Sequence, residues 1–292
     1  MNEEANLEYK AIDPSDFREA QNRNWDSAAV GWNEWREFND RADAHISQRL
    51  VELAGVEPGS RVLDVAAGYG EPALTAARAA GAGGQVVATD ISAEMLAFGR
   101  ERAAAAGLTN VEFVKADCSN IDFAPANFDA VVSRWGIIFE PDAEAAAGRI
   151  RRFLKPGSRM AISSWGTPDQ VPFLSIPMRT TMARFDVPPP APGTPGPLSR
   201  PTPDALGGLL EQGGFSDVEV EQSEVVFEFD SPEQFTAYVR AIAAPIRAMI
   251  EQRAGDSQEA AWDAITQAAA AAGGGSGPVS FSNVVLLASG VA

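Results

Sequence analysis

The stretch Arg61-Val62-Leu63-Asp64-Val65-Ala66-Ala67-Gly68-Tyr69-Gly70-Glu71-Pro72 is compatible with few folds. A short apolar strand ends in an acid, enters a loop of small residues and opens a helix near Glu71. Twenty residues past Gly70, a second apolar run, Gln85 to Thr89, ends on Asp90. Small residues in such a loop let backbone approach a ligand, and the first turn of the helix presents unpaired N–H groups to it. Strand, loop, helix and strand in this order, with the second strand closing on an acid, form the first βαβ unit of a nucleoside-binding sheet.

The alternation continues down the chain. The helix after the loop is mostly alanine and ends in Gly81-Ala82-Gly83-Gly84, and Ser92 caps a helix running to Ala106. Val111 to Asp117 reads as a third strand that again finishes on an acid, and Phe128 to Trp135 as a fourth. A helix over Ala143 to Leu154, closed by Lys155-Pro156-Gly157, leads to a fifth strand, Arg159 to Trp165. Strands separated by helices require right-handed crossovers and a mostly parallel sheet covered on both faces. A helix over Thr202 to Gly213, a strand over Val218 to Phe229 with one wetter face, and a last strand over Val279 to Leu287 complete seven strands. The expected fold is α/β: a doubly wound, Rossmann-like, mostly parallel seven-stranded sheet with an antiparallel last strand and a helical cap.

Three segments stand outside the alternation. Residues 1–16 are polar and expected to be loosely held. Phe17 to Phe38 is amphipathic, with three of the chain's six tryptophans between Trp25 and Trp35. It reads either as a helix packed on the core or as a lid whose aromatic face covers a ligand. Asp40 to Ala54 is a helix with Ile46, Leu50 and Leu53 on one stripe. Asp186 to Pro203 carries eight prolines and is an irregular strap, while 231–253 and 257–272 are helical. One domain over 1–292 follows, with a core of about 46–165, 202–230 and 278–292 and a cap from 1–45, 166–201 and 231–277.

Net charge is −17, which disfavours a nucleic-acid partner, and the basic cluster Arg149, Arg151, Arg152 suits the negative end of a helix. One cysteine and one histidine exclude a disulfide framework and a Cys/His metal site, so no metal is expected. Met1-Asn2-Glu3-Glu4 lacks the basic start and apolar core of a signal peptide, and no apolar run is long enough to span a bilayer. A cytoplasmic protein, monomeric or homodimeric, is the expectation.

Two cofactors compete for the loop. Gly68-Tyr69-Gly70-Glu71-Pro72-Ala73 fits the G-x-G-x-x-A dinucleotide pattern, with Asp90 where the ribose acid stands, which supports an NAD(P)-dependent oxidoreductase. Glu71, however, would then sit beside two phosphate charges. S-adenosylmethionine has no phosphate, a sulfonium cation and an ammonium group. Acids at the ends of three successive strands, Asp64, Asp90 and Asp117, suit such a ligand, with Asp90 on the ribose hydroxyls and Asp117 on the adenine amino group.

Val62 to Gly70, Ala88-Thr89-Asp90-Ile91-Ser92-Ala93-Glu94-Met95-Leu96, Ala116-Asp117, Phe128-Asp129 and Leu154-Lys155-Pro156-Gly157 resemble, in order, the motifs of class I S-adenosylmethionine-dependent methyltransferases. The wording is similar to the small-molecule branch of ubiquinone/menaquinone C-methyltransferases, over about residues 50–165. Ala66 departs from the family, where a glycine usually stands. The resemblance implies that Asp64, Ala66, Gly68 and Gly70 line the methionine end, Ile91 and Met95 pack near the adenine, Asp117 and Cys118 lie at its edge, and Ser133 touches the cofactor. It implies methyl transfer to a small acceptor, of the kind met in secondary metabolism, and the aromatic N-terminal segment with the 231–253 helix, through Phe235, Tyr238, Ile242, Ile246 and Met249, suggests that this acceptor is apolar or aromatic. Candidates for a general base are His45, Tyr69 and Glu140, and Trp32, Arg134 and Trp135 are candidates for the acceptor pocket. A protein that binds the cofactor without methyl transfer is the further alternative.

Overall fold

The computed structural model describes residues 14–191 and 194–292. The expectation for the polar N-terminus falls mainly outside these, although Pro14 to Asp16 already belong to the first helix. The elements run α1 (Pro14–Glu34), α2 (Arg36–Leu53), β1 (Arg61–Val65), α3 (Ala73–Ala80), β2 (Gln85–Asp90), α4 (Ala93–Ala105), β3 (Val111–Lys115), β4 (Phe128–Arg134), α5 (Ala143–Arg151) and β5 (Leu154–Trp165). They continue with α6 (Pro172–Arg184), α7 (Pro203–Gln212), β6 (Ser216–Phe229), α8 (Pro232–Ile242), α9 (Ala244–Arg253), α10 (Gln258–Gly273) and β7 (Val279–Val291).

One seven-stranded sheet has the order β3-β2-β1-β4-β5-β7-β6. The strands β1 to β5 pair in parallel, and β7 pairs antiparallel to both β5 and β6. This is the expected doubly wound architecture with its antiparallel last strand. The order turns back on itself between β1 and β4, so connections leave in opposite directions there and open a crevice at the carboxyl ends of the strands.

The two faces are packed by different helices. On one, Ile46 and Leu50 of α2, Ala76 of α3, Tyr238 of α8 and Ile265 of α10 are buried with Val62, Val132, Phe227 and Val285. On the other, Ile150 of α5 and Leu206, Leu209 and Leu210 of α7 meet Leu63, Val131, Ile162 and Ala288. Alternation along β1 sends Val62 and Leu63 to opposite faces, and both are fully buried.

Three local expectations need correction. The helix α6 fills a region where no helix was expected. Pro172 stands in its first turn, where a missing N–H costs nothing, and Pro177 lies inside it. The helix expected over 231–253 breaks at Ala243, because the ring of Pro245 clashes with the carbonyl four residues back. That carbonyl, of Ala241, accepts from Arg247 Nη1 at 3.3 Å, and the Arg240 carbonyl accepts from the same atom at 2.9 Å. The third strand stops at Lys115, leaving Asp117 in a turn.

The aromatic N-terminal segment divides between its two readings. Trp35 and Phe38 pack into the core, their rings 5.1 Å and 5.3 Å from that of Tyr238. Trp25 and Trp32, on α1, instead meet Phe139 at 5.4 Å and Tyr69 at 5.9 Å, across the crevice.

Candidate functional site

The loop after β1 owes its shape to residues in the left-handed region. Gly68 has φ +53° and Gly70 +116°, and Ala66 adopts φ +59° where a glycine would be unstrained. Room for the Ala66 methyl comes from Gly136: a Cβ there would lie 2.5 Å from the Ala66 Cβ and 2.8 Å from Ser133 Oγ. A Cβ on Gly68 would meet nothing within 4 Å, so its face of the loop is open.

Three acids stand around this loop in different states. Asp64 is wholly buried, and among the described residues neither carboxyl oxygen has a hydrogen-bond partner. Burial raises its pKa well above the carboxylate range, opposed by the Ala73 amide from outside hydrogen-bond geometry and by the charge of Arg134. Asp90 accepts from the Gly68 N–H through Oδ2 and from the Ser92 N–H through Oδ1, each at 2.8 Å. Burial still lifts it to about 6, because two amide donors only partly replace lost hydration. Asp117 uses Oδ1 to accept from the Ser119 and Asn120 N–H groups at 2.6 Å and 3.2 Å, holding the turn in place, while Oδ2 has no part in these bonds.

The roof of the crevice is α1. Ser92 Oγ donates to Asp26 Oδ1 at 2.6 Å while accepting from the Met95 N–H at 3.1 Å, so the residue that caps α4 also ties down α1. Met95 packs with Tyr69 and Ala29, and the Ile91 amide faces Asp90. Cys118 is buried against Glu140, and burial raises both pKa values.

Beyond β4 lies a second group. Arg134 Nη1 donates to Asp43 Oδ1 at 2.6 Å, both side chains being 5 % exposed. Burial raises the Asp43 pKa despite the opposing pull of Arg134. Trp135 has φ +51°, donates its N–H to Ser163 Oγ at 3.0 Å and stacks on Trp165 at 4.4 Å.

Several expected site residues have other duties. His45 is exposed on α2 with Nε2 2.8 Å from the Glu224 carbonyl on the edge strand β6, away from the crevice. Tyr69 is buried, and burial followed by the nearby Asp43 charge raises its pKa, so it is a proton donor rather than a base. Ser133 Oγ donates to the Val65 carbonyl at 2.8 Å and accepts from the Ile137 N–H at 3.1 Å, which pins β4 to β1 and leaves its hydroxyl engaged. Glu140, Cys118 and Asp117 come together, as do Trp32, Tyr69, Arg134 and Trp135.

Residues the motifs did not point to are Asp26, Gly136 and the buried stripe Asn39, Asp43 and Ser47 on α2. Their four-residue spacing was a usable signal. Among the described residues, no group of three or more His, Cys, Asp or Glu side chains is placed to hold a metal, and no helix is long and apolar enough to cross a membrane. An open depression of about 590 Å³ lies at the other end of the sheet, lined by Ser60, Asp129, Lys155 and Arg159, and is remote from these acids.

Comparison with known proteins bears on this arrangement. Residues 62–157 match the methyltransferase domain family. They are a methyltransferase domain of the class I type. The domain holds the loop, the three acids, Ser133, Arg134 and Trp135, whereas α1, α2 and everything after β5 begins lie largely outside it. An uncharacterized protein of Mycobacterium tuberculosis is 42% identical over 116 residues, 40% of this chain and 41% of that one. A ubiquinone/menaquinone biosynthesis C-methyltransferase of Pseudomonas putida is 40% identical over 119 residues, 40% of this chain and 46% of that one. The aligned part is thus less than half the length of these curated relatives. A phosphoethanolamine N-methyltransferase 2 of Haemonchus contortus, in complex with S-adenosyl-L-methionine, superposes with a TM-score of 0.56. At 21% identity, over 94% of this chain and 60% of that one, the likeness carries the fold.

Two outcomes follow for this methyltransferase domain. Gly136→Ala should cost about 1–3 kcal/mol by overpacking the Ala66 methyl, and Ala66→Gly in the same chain should restore part of it, both read by urea unfolding. Asp90 holds its proton more tightly folded than unfolded, so its ionisation costs stability above about pH 6 and that cost fades as pH falls through 6 toward the ordinary carboxylate range. The melting temperature of the ligand-free protein should therefore rise relative to Asp90→Asn between pH 7 and 5 in parallel thermal scans.

Proposed function

We propose that the chain is an enzyme that transfers a methyl group from S-adenosylmethionine to a small, apolar or aromatic acceptor by in-line displacement. Asp64 carries this reading: a buried carboxyl with both oxygens unpartnered, at the end of β1, suits a ligand that brings its own cation and donors. A dinucleotide would instead bring phosphate charge against Asp64 and Glu71, whose carboxylate already accepts from Thr75 Oγ1 at 2.7 Å. The residues fit the methyl donor.

Asp64 would face its ammonium group, the open face of Gly68 its methionine end, Asp90 its ribose hydroxyls and the free Oδ2 of Asp117 its adenine amino group. Bound there, S-adenosylmethionine supplies an electrophilic methyl group on a sulfonium. The chain's own contribution is alignment and exclusion of water: α1 roofs the crevice through Asp26 and Trp25, and Trp32, Tyr69 and Trp135 wall the space beyond it. A dedicated base is not part of this reading, since His45 lies on the outer face of α2, Tyr69 keeps its proton and Glu140 lies against Cys118 at the adenine edge. One 292-residue domain, with α1, α6 and α8 to α10 as the cap that selects the acceptor, a cytoplasmic location and a place in secondary metabolism belong to the same proposal.

The test is binding followed by transfer. S-adenosylhomocysteine, and not NADH, should raise the melting temperature, and methyl-labelled cofactor should pass label to at least one member of an aromatic acceptor panel. Asp90→Ala should abolish binding while the circular dichroism spectrum stays unchanged. Affinity should fall about tenfold per pH unit below pH 6 as Asp90 takes up its proton. Stabilisation by NADH alone, or binding without label transfer across the panel, would sink methyl transfer.

A further inference from the structure

The space beyond the cofactor loop holds an imbalance of hydrogen-bonding groups. Asn39 Nδ2, Tyr69 Oη, Trp32 Nε1 and Trp135 Nε1 are all buried without a partner among the described residues. An indole or an amide nitrogen can only donate, so three of these four can be satisfied by nothing except an acceptor. Asn39 is 1 % exposed and Tyr69 5 %, and each unpaired group in such surroundings is costly.

These groups gather around the buried Arg134. Its guanidinium lies 5.0 Å from the Trp135 ring centroid, and its charge acts on both Tyr69 and Tyr238, as does that of its partner Asp43. The Trp32 ring is 5.9 Å from the Tyr69 ring, and Asn39 Oδ1 accepts from Tyr238 Oη at 2.8 Å, which turns its amide nitrogen away from that bond. Among the described residues, the hydrogen bond of Arg134 is the one to Asp43, made through Nη1, so its other nitrogens are not committed. The charge of Arg134 acts on Asp64 as well, whose two oxygens have no partner among the described residues.

We infer that the acceptor substrate enters this chamber with a hydrogen-bond-accepting oxygen — a carbonyl, a carboxylate or an ionised hydroxyl — held by Tyr69 and Arg134, and that amines are excluded. The inference rests on the methyl-transfer reading for the word substrate, but its ligand chemistry stands on the unpaired donors alone. An ammonium group would add donors where donors are already in surplus and would meet the guanidinium of Arg134. A planar ring behind the oxygen fits the walls given by Trp32, Tyr69 and Trp135. Tyr69 is the specificity-determining residue of the set, because its hydroxyl has no structural bond to lose.

Isothermal titration of the full chain saturated with S-adenosylhomocysteine tests this with three probes of one shape: 2-naphthoate, 2-naphthol and 2-naphthylmethylammonium. Naphthoate or naphthol should bind at least about tenfold tighter than the ammonium probe, the equivalent of one hydrogen bond lost to a mispaired group. Tyr69→Phe should weaken the better oxygen probe by about five- to tenfold and leave the ammonium probe unaffected, a pattern that general loosening of the fold would not give. Equal or tighter binding of the ammonium probe, no binding of either oxygen probe, or an unchanged oxygen-probe affinity in Tyr69→Phe would each overturn the inference. Failure of the wild-type chain to bind S-adenosylhomocysteine would instead count against the methyl-transfer reading, and it is measured separately in the same instrument.

Discussion

The turn after β1 is the constraint on which the site depends. Three of its residues, at 66, 68 and 70, lie in the left-handed region, and one of them is an alanine. This path aims the Gly68 N–H at Asp90 and leaves the inner face of the loop bare, so the ends of β1 and β2 are fixed relative to each other by backbone. The cost of a left-handed alanine is about 1–2 kcal/mol, and it is tolerated because Gly136, seventy residues away on the β4 side, vacates the space the methyl needs. Loop and partner strand are therefore one packing unit. Ser133 reinforces it, its hydroxyl bridging the Val65 carbonyl and the Ile137 amide.

Charge is distributed around this unit in a way a purely structural core would avoid. Buried carboxyls normally come with partners, yet Asp64 has none and Asp90 has two amides where water would give more. Asp43, by contrast, is matched by Arg134, and removing either member would strand the other in the interior. Asp43 is held by a partner of opposite charge, whereas the carboxyl of Asp64 is left without one among the described residues.

Much of the frame was legible in the sequence because buried parallel strands read as continuous apolar runs closed by acids. Asp64 and Asp90 were visible for that reason, Asp117 by its place just past β3, and Ser92 by its capping position. Less legible were features for which two patterns share one period. Asn39, Asp43 and Ser47 recur every four residues, as the apolar stripe of the same helix does, and a polar stripe ordinarily means solvent. Here it is buried, since α2 is enclosed by α8 as well as by the sheet, β6 included. Proline also misled twice, hiding α6 behind Pro172 and Pro177 and leaving the break before Pro245 unread. His45 attracted attention by its chemistry alone, whereas its position was set by the register of α2 against β6.

The guanidinium of Arg247 reaches further than the broken helix it repairs. Besides the carbonyls of Arg240 and Ala241 it donates through Nη2 to the Ser27 carbonyl at 3.1 Å and to Ser27 Oγ at 3.2 Å. Gly31 of α1 lies against the same Ala241 carbonyl, close enough that a Cβ would stand 2.3 Å from it. One cation thus acts as a rivet through α1, α8 and α9. Lifting α1 alone would strip partners from that cation and uncover a carbonyl already freed by a proline. The roof over the crevice is therefore mechanically continuous with α8 and α9, and helices far apart in sequence share the task of holding it.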